Sequence, residues 1–330
     1  MKYLWVIACM MGCMYAALGQ QLAMHTEHLL SGRAQGTTYS IKYYADVAVS
    51  KQDVDSIIAE IDSSMSLYHA NSIISRFNAG RLADADLDSH IKNVLDASFS
   101  MNKLSNGYFD ITVLPLSQVW GFGPDGSPKN LEQQCMDSIR AFVGMDKLRW
   151  DGEVLQKLDP RITIDLNGIA QGYTVDVLAD YLEQRGIAHY LVELGGEIRT
   201  KGHKPSGSFV VAVNRPPGMQ NGDAHWVKLS DCAITTSGSY ENQRCIDGTM
   251  ISHHMDPFTG KPLASSTVSV TVIAKTAMEA DGLDNFFMYL KPAEAISYAE
   301  GLKDVDIYLV YLDGNTYKEL QTKGFKKYLY

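Results

Sequence analysis

Residues 162–186, ITIDLNGIAQGYTVDVLADYLEQRG, place three structural signals in immediate succession. A short strand is predicted over 161–164, and it ends at Asp165. A turn with Gly168 follows, and apolar residues at helical spacing then predict a helix from about 169 to 185. A strand and a helix joined this closely indicate a chain that combines both kinds of element.

The rest of the chain continues this mixture without a regular alternation. Strand patterns occur at 37–44, 188–194, 208–213, 232–236 and 267–274. Helical spacing of apolar residues occurs at 53–68, 87–105 and 276–290. Because strands and helices do not alternate as they do in β-α-β units, we predict an α+β fold.

Residues 1–19, MKYLWVIACMMGCMYAALG, have the pattern of a secretory signal peptide. Lys2 precedes an apolar run without further charge, and the run ends in small residues. This apolar run is shorter than the stretch of about 20 apolar residues that a membrane-spanning helix needs. We therefore predict an exported, periplasmic protein that comprises residues 20–330. Cys13 offers the alternative of a lipid-attachment site, which would anchor the protein to the inner membrane.

Charge and cysteine content exclude two classes of function. The formal net charge is -9, and loss of Lys2 with the signal would make it -10. A chain this acidic, without a basic stripe, is not expected to bind nucleic acid. The mature chain keeps Cys135, Cys232 and Cys245, whose spacing matches no zinc or redox motif. A Cys232–Cys245 disulfide is compatible with export but is not required.

The opening segment places a carboxylate, Asp165, beside the start of a helix, where it can meet a ligand. Its turn also offers backbone N–H groups to anions, and the carbonyls of Asn167 or Gly168 to a cation. The alternative is that Asp165 and Asn167 simply cap the helix. This segment alone favours capping.

The segment ADGLDNFFMYL, residues 280–290, is a second source of oxygen ligands. Asp281 and Asn285 lie four residues apart, on one face of a predicted helix. Oxygen ligands of this kind suit magnesium, which takes one or two carboxylates plus waters and phosphates. A solvated helix face is the alternative, but the flanking apolar residues leave little room for one.

The segment SHHMDPFTG, residues 252–260, contains two adjacent histidines before a turn with proline and glycine. The turn would hold His253 in place as a proton acceptor near neutral pH. We expect His254 to face the opposite side, in a structural role, because neighbouring side chains alternate in an extended segment. A zinc site would need a further ligand that the spacing does not supply.

Eight short segments carry a resemblance to a known family. They are QGTTYSI (35–41), MSLYHANSIISRFN (65–78), NGYFDITVLPLSQVWGFG (106–123), DLNGIAQGYTVD (165–176), LVELGGEIRTKG (191–202), TTSGSYE (235–241), HHMDPFTGKP (253–262) and ADGLDN (280–285). In this order they resemble the ApbE-type flavin transferases, which move FMN from FAD onto a threonine or serine of another protein. The resemblance covers nearly the whole mature chain and implies one large mixed domain over residues 20–330.

The resemblance also implies a set of site residues. Flavin contacts fall on Gln35, Tyr68, Tyr108, Phe109, Asp110, Asp165, Gln171 and His253. Magnesium ligands fall on the carbonyl of Gly168 and on the side chains of Asp281 and Asn285. The family often has Met in place of Gln35, Lys or Glu in place of Gln171, and Thr in place of Asn285. Asn285 still offers a neutral oxygen, whereas Gln171 removes a charge near the nucleotide.

The activity implied by the resemblance is a magnesium-dependent transfer of FMN from FAD. A phosphoester bond would form to a Thr or Ser of an exported flavoprotein subunit, AMP would leave, and His253 would act as general base. The implied acceptors are subunits of the sodium-translocating NADH–quinone reductase or of the Rnf complex. An FAD pyrophosphatase, which uses water instead of the acceptor, and a non-catalytic periplasmic flavin-binding protein are the alternatives. A role in thiamine synthesis has no support in the residues.

Overall fold

The fold is known from a computed structural model that describes residues 26–82, 87–124, 133–217, 219, 224–240, 242–246 and 248–330. The predicted signal peptide, residues 1–19, and Cys13 lie outside these residues. Within the described part of the chain, no helix is both long and apolar enough to cross a bilayer.

The strands occupy most of the second half of the chain and its beginning. In chain order they are β1 (Thr26–Ala34), β2 (Thr37–Ala45), β3 (Leu148–Trp150), β4 (Leu155–Lys157), β5 (Tyr190–Leu194), β6 (Glu197–Lys201), β7 (Phe209–Asn214), β8 (Ala224–Leu229), β9 (Cys232–Gly238), β10 (Gln243–Ile246), β11 (Thr249–Ser252), β12 (Thr267–Ala274), β13 (Asp306–Asp313) and β14 (Thr316–Gln321). Eight of them form a sheet in the order β1-β2-β5-β6-β9-β12-β13-β14, and its neighbours are antiparallel. The pairs β3–β4, β7–β8 and β10–β11 form separate two-stranded sheets.

Along the sequence, the helices alternate irregularly with these strands. They are α1 (Lys51–Met65), α2 (Ile73–Asn78), α3 (Ser89–Leu104), α4 (Leu114–Val119), α5 (Gln133–Arg140), α6 (Asn167–Gln184), α7 (Ala277–Phe287) and α8 (Pro292–Glu300). Two 3₁₀ turns, Met145–Lys147 and Lys323–Tyr328, complete them. The four predicted helices correspond to α1, α3, α6 and α7, with ends that differ by one to three residues from the prediction.

Strand β12 is the centre of the core, because all of its residues are buried. Val270 and Val272 belong to the apolar cluster that includes helices α3 and α7. Ile273 belongs to a second cluster, formed with the β7–β8 hairpin and the C-terminal 3₁₀ turn. The strand is thus covered on both faces, although Thr267, Ser269 and Thr271 alternate with its apolar residues. Mixed helices and antiparallel strands around a common sheet confirm the predicted α+β fold.

The predicted strand over 161–164 is wrong, because these residues are not part of any ladder. Ile162 and Ile164 are buried, which explains the strand-like alternation of the sequence. The backbone of Ile164 pairs with a side chain instead: Asn78 Nδ2 donates to its carbonyl at 2.8 Å, and Asn78 Oδ1 accepts from its N–H at 2.8 Å. One amide thus satisfies the backbone groups that a neighbouring strand would have paired.

The cysteines that the structure describes with their side chains are free. Cys232 is buried in the sheet and Cys245 is exposed on the β10–β11 hairpin. The disulfide that the sequence left open is therefore not formed.

Candidate active site

A cavity of about 790 Å³ opens where the N-terminal end of α6 meets α7 and the segment after β11. Its volume lies within the range of about 300–1,000 Å³ typical of small-molecule sites. Every site residue predicted from the sequence lines it: Gln35, Tyr68, Tyr108, Phe109, Asp110, Asp165, Gly168, Gln171, His253, Asp281 and Asn285. The fold therefore brings together residues that are up to 250 positions apart.

The close contact of helices α6 and α7 forms one wall of the cavity. The N–H of Gly172 donates to Asp281 Oδ2 at 2.9 Å. Asn285 Nδ2 donates to the carbonyl of Gly168 at 3.3 Å and to the carbonyl of Asp281 at 3.0 Å. The residues proposed from the sequence as magnesium ligands thus lie together at the contact of the two helices.

Asp284 joins this group, although the sequence reasoning did not assign it a role. Its Oδ1 accepts from Asn285 Nδ2 at 3.3 Å, and it lines the same cavity. Burial raises the pKa of Asp281 to about 7. Burial, and then repulsion from Asp281, raises the pKa of Asp284 well above its usual range. The spacing of Asp281 and Asp284, three residues apart on one helix, was the signal that could have identified it.

These residues fit a hard cation such as Mg2+. The described residues contain no group of three or more His, Cys, Asp or Glu side chains arranged to hold a metal. Two buried carboxylates and a backbone carbonyl offer oxygen here, whereas the amide of Asn285 faces them with its Nδ2 and would have to turn over to present its oxygen to an ion. Two carboxylates buried side by side repel each other, and a bound cation would relieve that repulsion. Magnesium binding itself stays a prediction.

Asp165 and Asp110 carry carboxylates on other sides of the cavity. Burial raises the pKa of Asp165 to about 6, although the N–H of Asn167 donates to its Oδ1 at 2.8 Å. Asp165 thus bonds the N–H of the first residue of α6 and also lines the cavity, but the N-cap position belongs to Leu166, which has no side-chain capping bond. Asp110 accepts the N–H of Thr112 at 2.7 Å and that of Met145 at 3.2 Å, so its carboxylate also connects two loops.

Of the two glutamines that line the cavity, Gln35 lies in a hairpin turn and Gln171 lies on helix α6. Gln35 has φ 50° in the two-residue turn between β1 and β2, where Gly36 has φ 78°, the conformation that such hairpins favour. Its Nε2 donates to Thr174 Oγ1 at 3.0 Å, which attaches the hairpin to α6. Gln171 lies beside Gly195, in the turn between β5 and β6.

The aromatic side chains differ in how far they are buried. Tyr68 follows α1 and is 70% exposed at the cavity, so its ring is accessible to a ligand. The ring of Tyr108 is edge-on to Phe258 at 5.1 Å and tilted against Tyr289 at 5.3 Å. Phe109 is buried in the main core cluster. Tyr289 also lines the cavity and was missed, because its sequence position looks like ordinary helix core.

The two histidines do not face opposite sides, as the sequence reasoning expected for His254. Their ring centroids are 4.1 Å apart with an interplanar angle of 37°, and both rings line the cavity. The expectation is wrong because the segment after β11 is not a regular strand at these positions. His254 is buried, and its Nε2 lies 2.9 Å from Ser237 Oγ. Burial lowers the pKa of His253.

Comparison with known proteins gives a consistent result. The ApbE family model matches residues 35–309. A protein of Vibrio cholerae named FAD:protein FMN transferase is 35% identical over 308 residues, which cover 91% of this chain and 92% of that protein. An Escherichia coli K12 protein of the same name is 33% identical, over 91% of this chain and 89% of its own.

Solved structures agree with these relatives. The flavin transferase ApbE from Vibrio cholerae has a TM-score of 0.84 at 35% identity, and the similarity covers 92% of this chain and 100% of that one. The apo form of the Pseudomonas stutzeri flavinyl transferase ApbE has a TM-score of 0.82 at 31% identity, over 92% of this chain and 96% of that one.

The fold and the cavity define a single-domain α+β protein with a ligand site that is rich in buried carboxylates and contains two imidazoles. That combination of perturbed acids and potential bases is typical of an enzyme active site. The chain belongs to the ApbE family. The family membership and the fold that the sequence predicted are therefore both confirmed.

Proposed function

We propose that this protein is a magnesium-dependent FAD:protein FMN transferase. It would move FMN from FAD onto the hydroxyl of a threonine or serine in an exported flavoprotein subunit, with release of AMP. The names of the relatives in Vibrio cholerae and Escherichia coli support the transferase class. The acceptor, the metal and the leaving group are inferences from the site and from the family resemblance.

The observation that carries the proposal is the convergence of oxygen donors and a histidine on one cavity. The side chain of Asn285 contacts the carbonyls of Gly168 and Asp281 and the buried carboxylate of Asp284, and Asp281 and His253 line the same cavity. Transfer of a phosphoryl group from a dinucleotide requires both oxygen ligands for a cation and a proton acceptor close to the pyrophosphate.

The acidic character of the cavity is the reason for the metal. Asp165, Asp281 and Asp284 all line it, and in their ionised forms they would repel an anionic pyrophosphate. Gly168, Asp281 and Asn285, with Asp284 beside them, would hold Mg2+. When bound, the ion supplies positive charge that neutralises the phosphoryl oxygens during displacement.

His253 is the residue that would take the proton of the acceptor hydroxyl. Burial lowers its pKa, so the ring is neutral at pH 7 and able to accept a proton. Its Nδ1 has no hydrogen-bond partner within the described residues. As the hydroxyl oxygen bonds to the FMN phosphorus, the phosphorus–oxygen bond to AMP breaks and AMP leaves with both electrons of that bond.

The acceptor and the compartment belong to the same proposal. We infer export to the periplasm from residues 1–19, with removal before Gln20. The acceptors would be exported subunits of the sodium-translocating NADH–quinone reductase or of the Rnf complex. Mass spectrometry of the protein from its native host tests this: an N-terminus at Gln20 supports a soluble exported protein, and a lipidated Cys13 would establish an anchor instead.

The function is tested with the mature protein, FAD, Mg2+ and a purified flavin-accepting subunit of the NADH–quinone reductase. We expect flavin fluorescence on the acceptor band after denaturing gel electrophoresis, together with one AMP released for each FMN bound. An acceptor variant with alanine at the modified residue is the control and should stay dark.

The same assay separates the alternatives. Fast release of AMP and free FMN without acceptor would favour an FAD pyrophosphatase. Bound FAD that stays intact in the presence of Mg2+ and acceptor would favour a flavin-binding protein. Acceleration of AMP release by the acceptor is the outcome expected of the transferase.

A further inference from the structure

We propose that Ser237 and His254 form a positioning pair that holds the imidazole of His253 in place for proton transfer. The inference rests on the proposed function, in which His253 is the general base. It assigns a role to two cavity residues that the transfer chemistry does not otherwise use.

The first member of the pair is fixed by the sheet. Ser237 lies on β9 and pairs with Val270 of the buried strand β12. Its side chain is 8% exposed, and its Oγ lies 2.9 Å from Nε2 of His254. A hydroxyl on a central strand has little freedom to move, so this hydrogen bond fixes the plane of the His254 ring.

The backbone of the second member is fixed as well. The N–H of Leu263 donates to the carbonyl of His254 at 2.7 Å. The hydroxyl of Tyr289 donates to the carbonyl of Met255, the next residue, at 2.8 Å. With both its main chain and its Nε2 held, the His254 ring is a rigid surface.

His253 rests against that surface. The two imidazoles are 4.1 Å apart between centroids and inclined at 37°. On its other contact, His253 meets the ring of Phe122 at 6.4 Å and 60°. These two rings therefore limit the rotation of the His253 side chain. A base that is held in the orientation needed for proton transfer reacts faster than one that also adopts unproductive orientations.

His254 is not the base itself. His254 is buried, whereas His253 is only partly buried, so a positive charge on His254 would be the more poorly solvated of the two. Burial, and then a charge on His253, lowers the pKa of His254 well below its usual range. When His253 takes a proton, His254 therefore stays neutral and keeps its hydrogen bond to Ser237.

A double-mutant cycle on Ser237→Ala and His254→Phe tests the pair. Either change removes the same hydrogen bond, and phenylalanine keeps a flat ring against His253. Ser237→Thr keeps a hydroxyl and serves as the conservative variant. Ser269→Ala removes a buried serine from the neighbouring strand β12, outside the cavity, and is the matched control.

We expect Ser237→Ala and His254→Phe each to lower kcat by roughly 10-fold, within the up to 100-fold that misplacement of a reacting group can cost. KM for FAD and the melting temperature should stay near the wild-type values. The double variant should be no slower than either single one, because the bond can be lost only once. Ser237→Thr should recover most of kcat, and Ser269→Ala should not change it.

Ring ¹H–¹⁵N spectra of the same variants give a readout without turnover. Loss of the Ser237 hydroxyl should broaden or shift the ring signals of His253 as well as those of His254. Wild-type kcat in Ser237→Ala, losses that add fully in the double variant, or unchanged His253 signals would each overturn the pair. If the wild-type protein transfers no FMN to the acceptor, the proposed function fails, while the spectra still decide whether the pair positions His253.

Discussion

The charge state of His253 decides what the cavity can do at neutral pH. A base must be neutral before it accepts a proton, and burial lowers the pKa of His253 from its usual value of 6.5. The neutral ring therefore predominates at pH 7 and is lost only as the pH falls through the lowered pKa. Transfer should be at its plateau at neutral pH and should decline in acid.

His253→Ala should lower kcat by roughly 10²–10⁴-fold at saturating FAD, the usual contribution of a positioned acid or base. The acid limb of the pH–rate profile should disappear in this variant. Saturating Mg2+ is required, because protons would otherwise compete with the ion for Asp281. A variant that keeps the wild-type rate and acid limb would show that the base lies elsewhere.

Asp281→Ala should abolish the Mg2+-dependent transfer, because it removes a carboxylate from the proposed metal ligands. The loss should exceed roughly 100-fold, since a metal contributes several kcal/mol to the stabilisation of developing charge. Asp281→Asn is the matched control for the fold, because its side-chain oxygen can still accept the N–H of Gly172. Wild-type activity of Asp281→Ala at limiting Mg2+ would contradict the metal assignment.

At the scale of elements, the site depends on how closely α6 approaches α7. A Cβ added to Gly172 would lie 2.4 Å from the carbonyl oxygen of Ala277 and 2.8 Å from the Cβ of Asp281. The carboxylate of Asp176, also on α6, accepts the N–H groups of Ala277 and Met278 at 2.9 Å each. The missing side chain of Gly172 and the carboxylate of Asp176, which caps the start of α7, thus set the distance between α6 and α7.

Gly172→Ala should separate α6 from α7 and move Asp281 away from Gly168. We expect a loss of about 1–3 kcal/mol in the free energy of unfolding, as for other overpacked sites. Binding of Mn2+, measured by electron paramagnetic resonance, should weaken in parallel. Gly282→Ala on α7 is the control, because its Cβ would meet side-chain atoms and no backbone: the flexible end of Met101 at 2.9 Å and Cδ1 of Ile169 at 3.5 Å. Equal effects of the two substitutions would refute the role of the close contact.

For the molecule as a whole, FAD and the metal should stabilise the fold together. The acidic cavity disfavours an anionic ligand without a cation, so FAD alone should raise the melting temperature little. With Mg2+ present, FAD at 100 times its Kd should stabilise the folded state by about 2.7 kcal/mol. Differential scanning fluorimetry with and without a chelator measures this. A full shift in the presence of the chelator would argue against a shared site.

The sequence by itself determined the kinds of element, the order of the motifs and the types of side chain at the site. Periodicity located α1, α3, α6 and α7, because local spacing shows which face of a helix is buried. The motifs also identified the residues that line the cavity, including Asp281 and His253. These features depend on local pattern or on family resemblance, so the amino-acid sequence was enough to recognise them.

Only the tertiary structure decided which groups meet. Gly172 and Asp281 are 109 residues apart in the sequence. Ser237 lies on β9, whereas His254 follows β11, so no local pattern could reveal either hydrogen bond. Residues 161–164 look like a strand because two of their side chains are buried, yet the side chain of Asn78 takes the place of a neighbouring strand. Burial is readable from periodicity, but the partner of a buried group depends on distant residues.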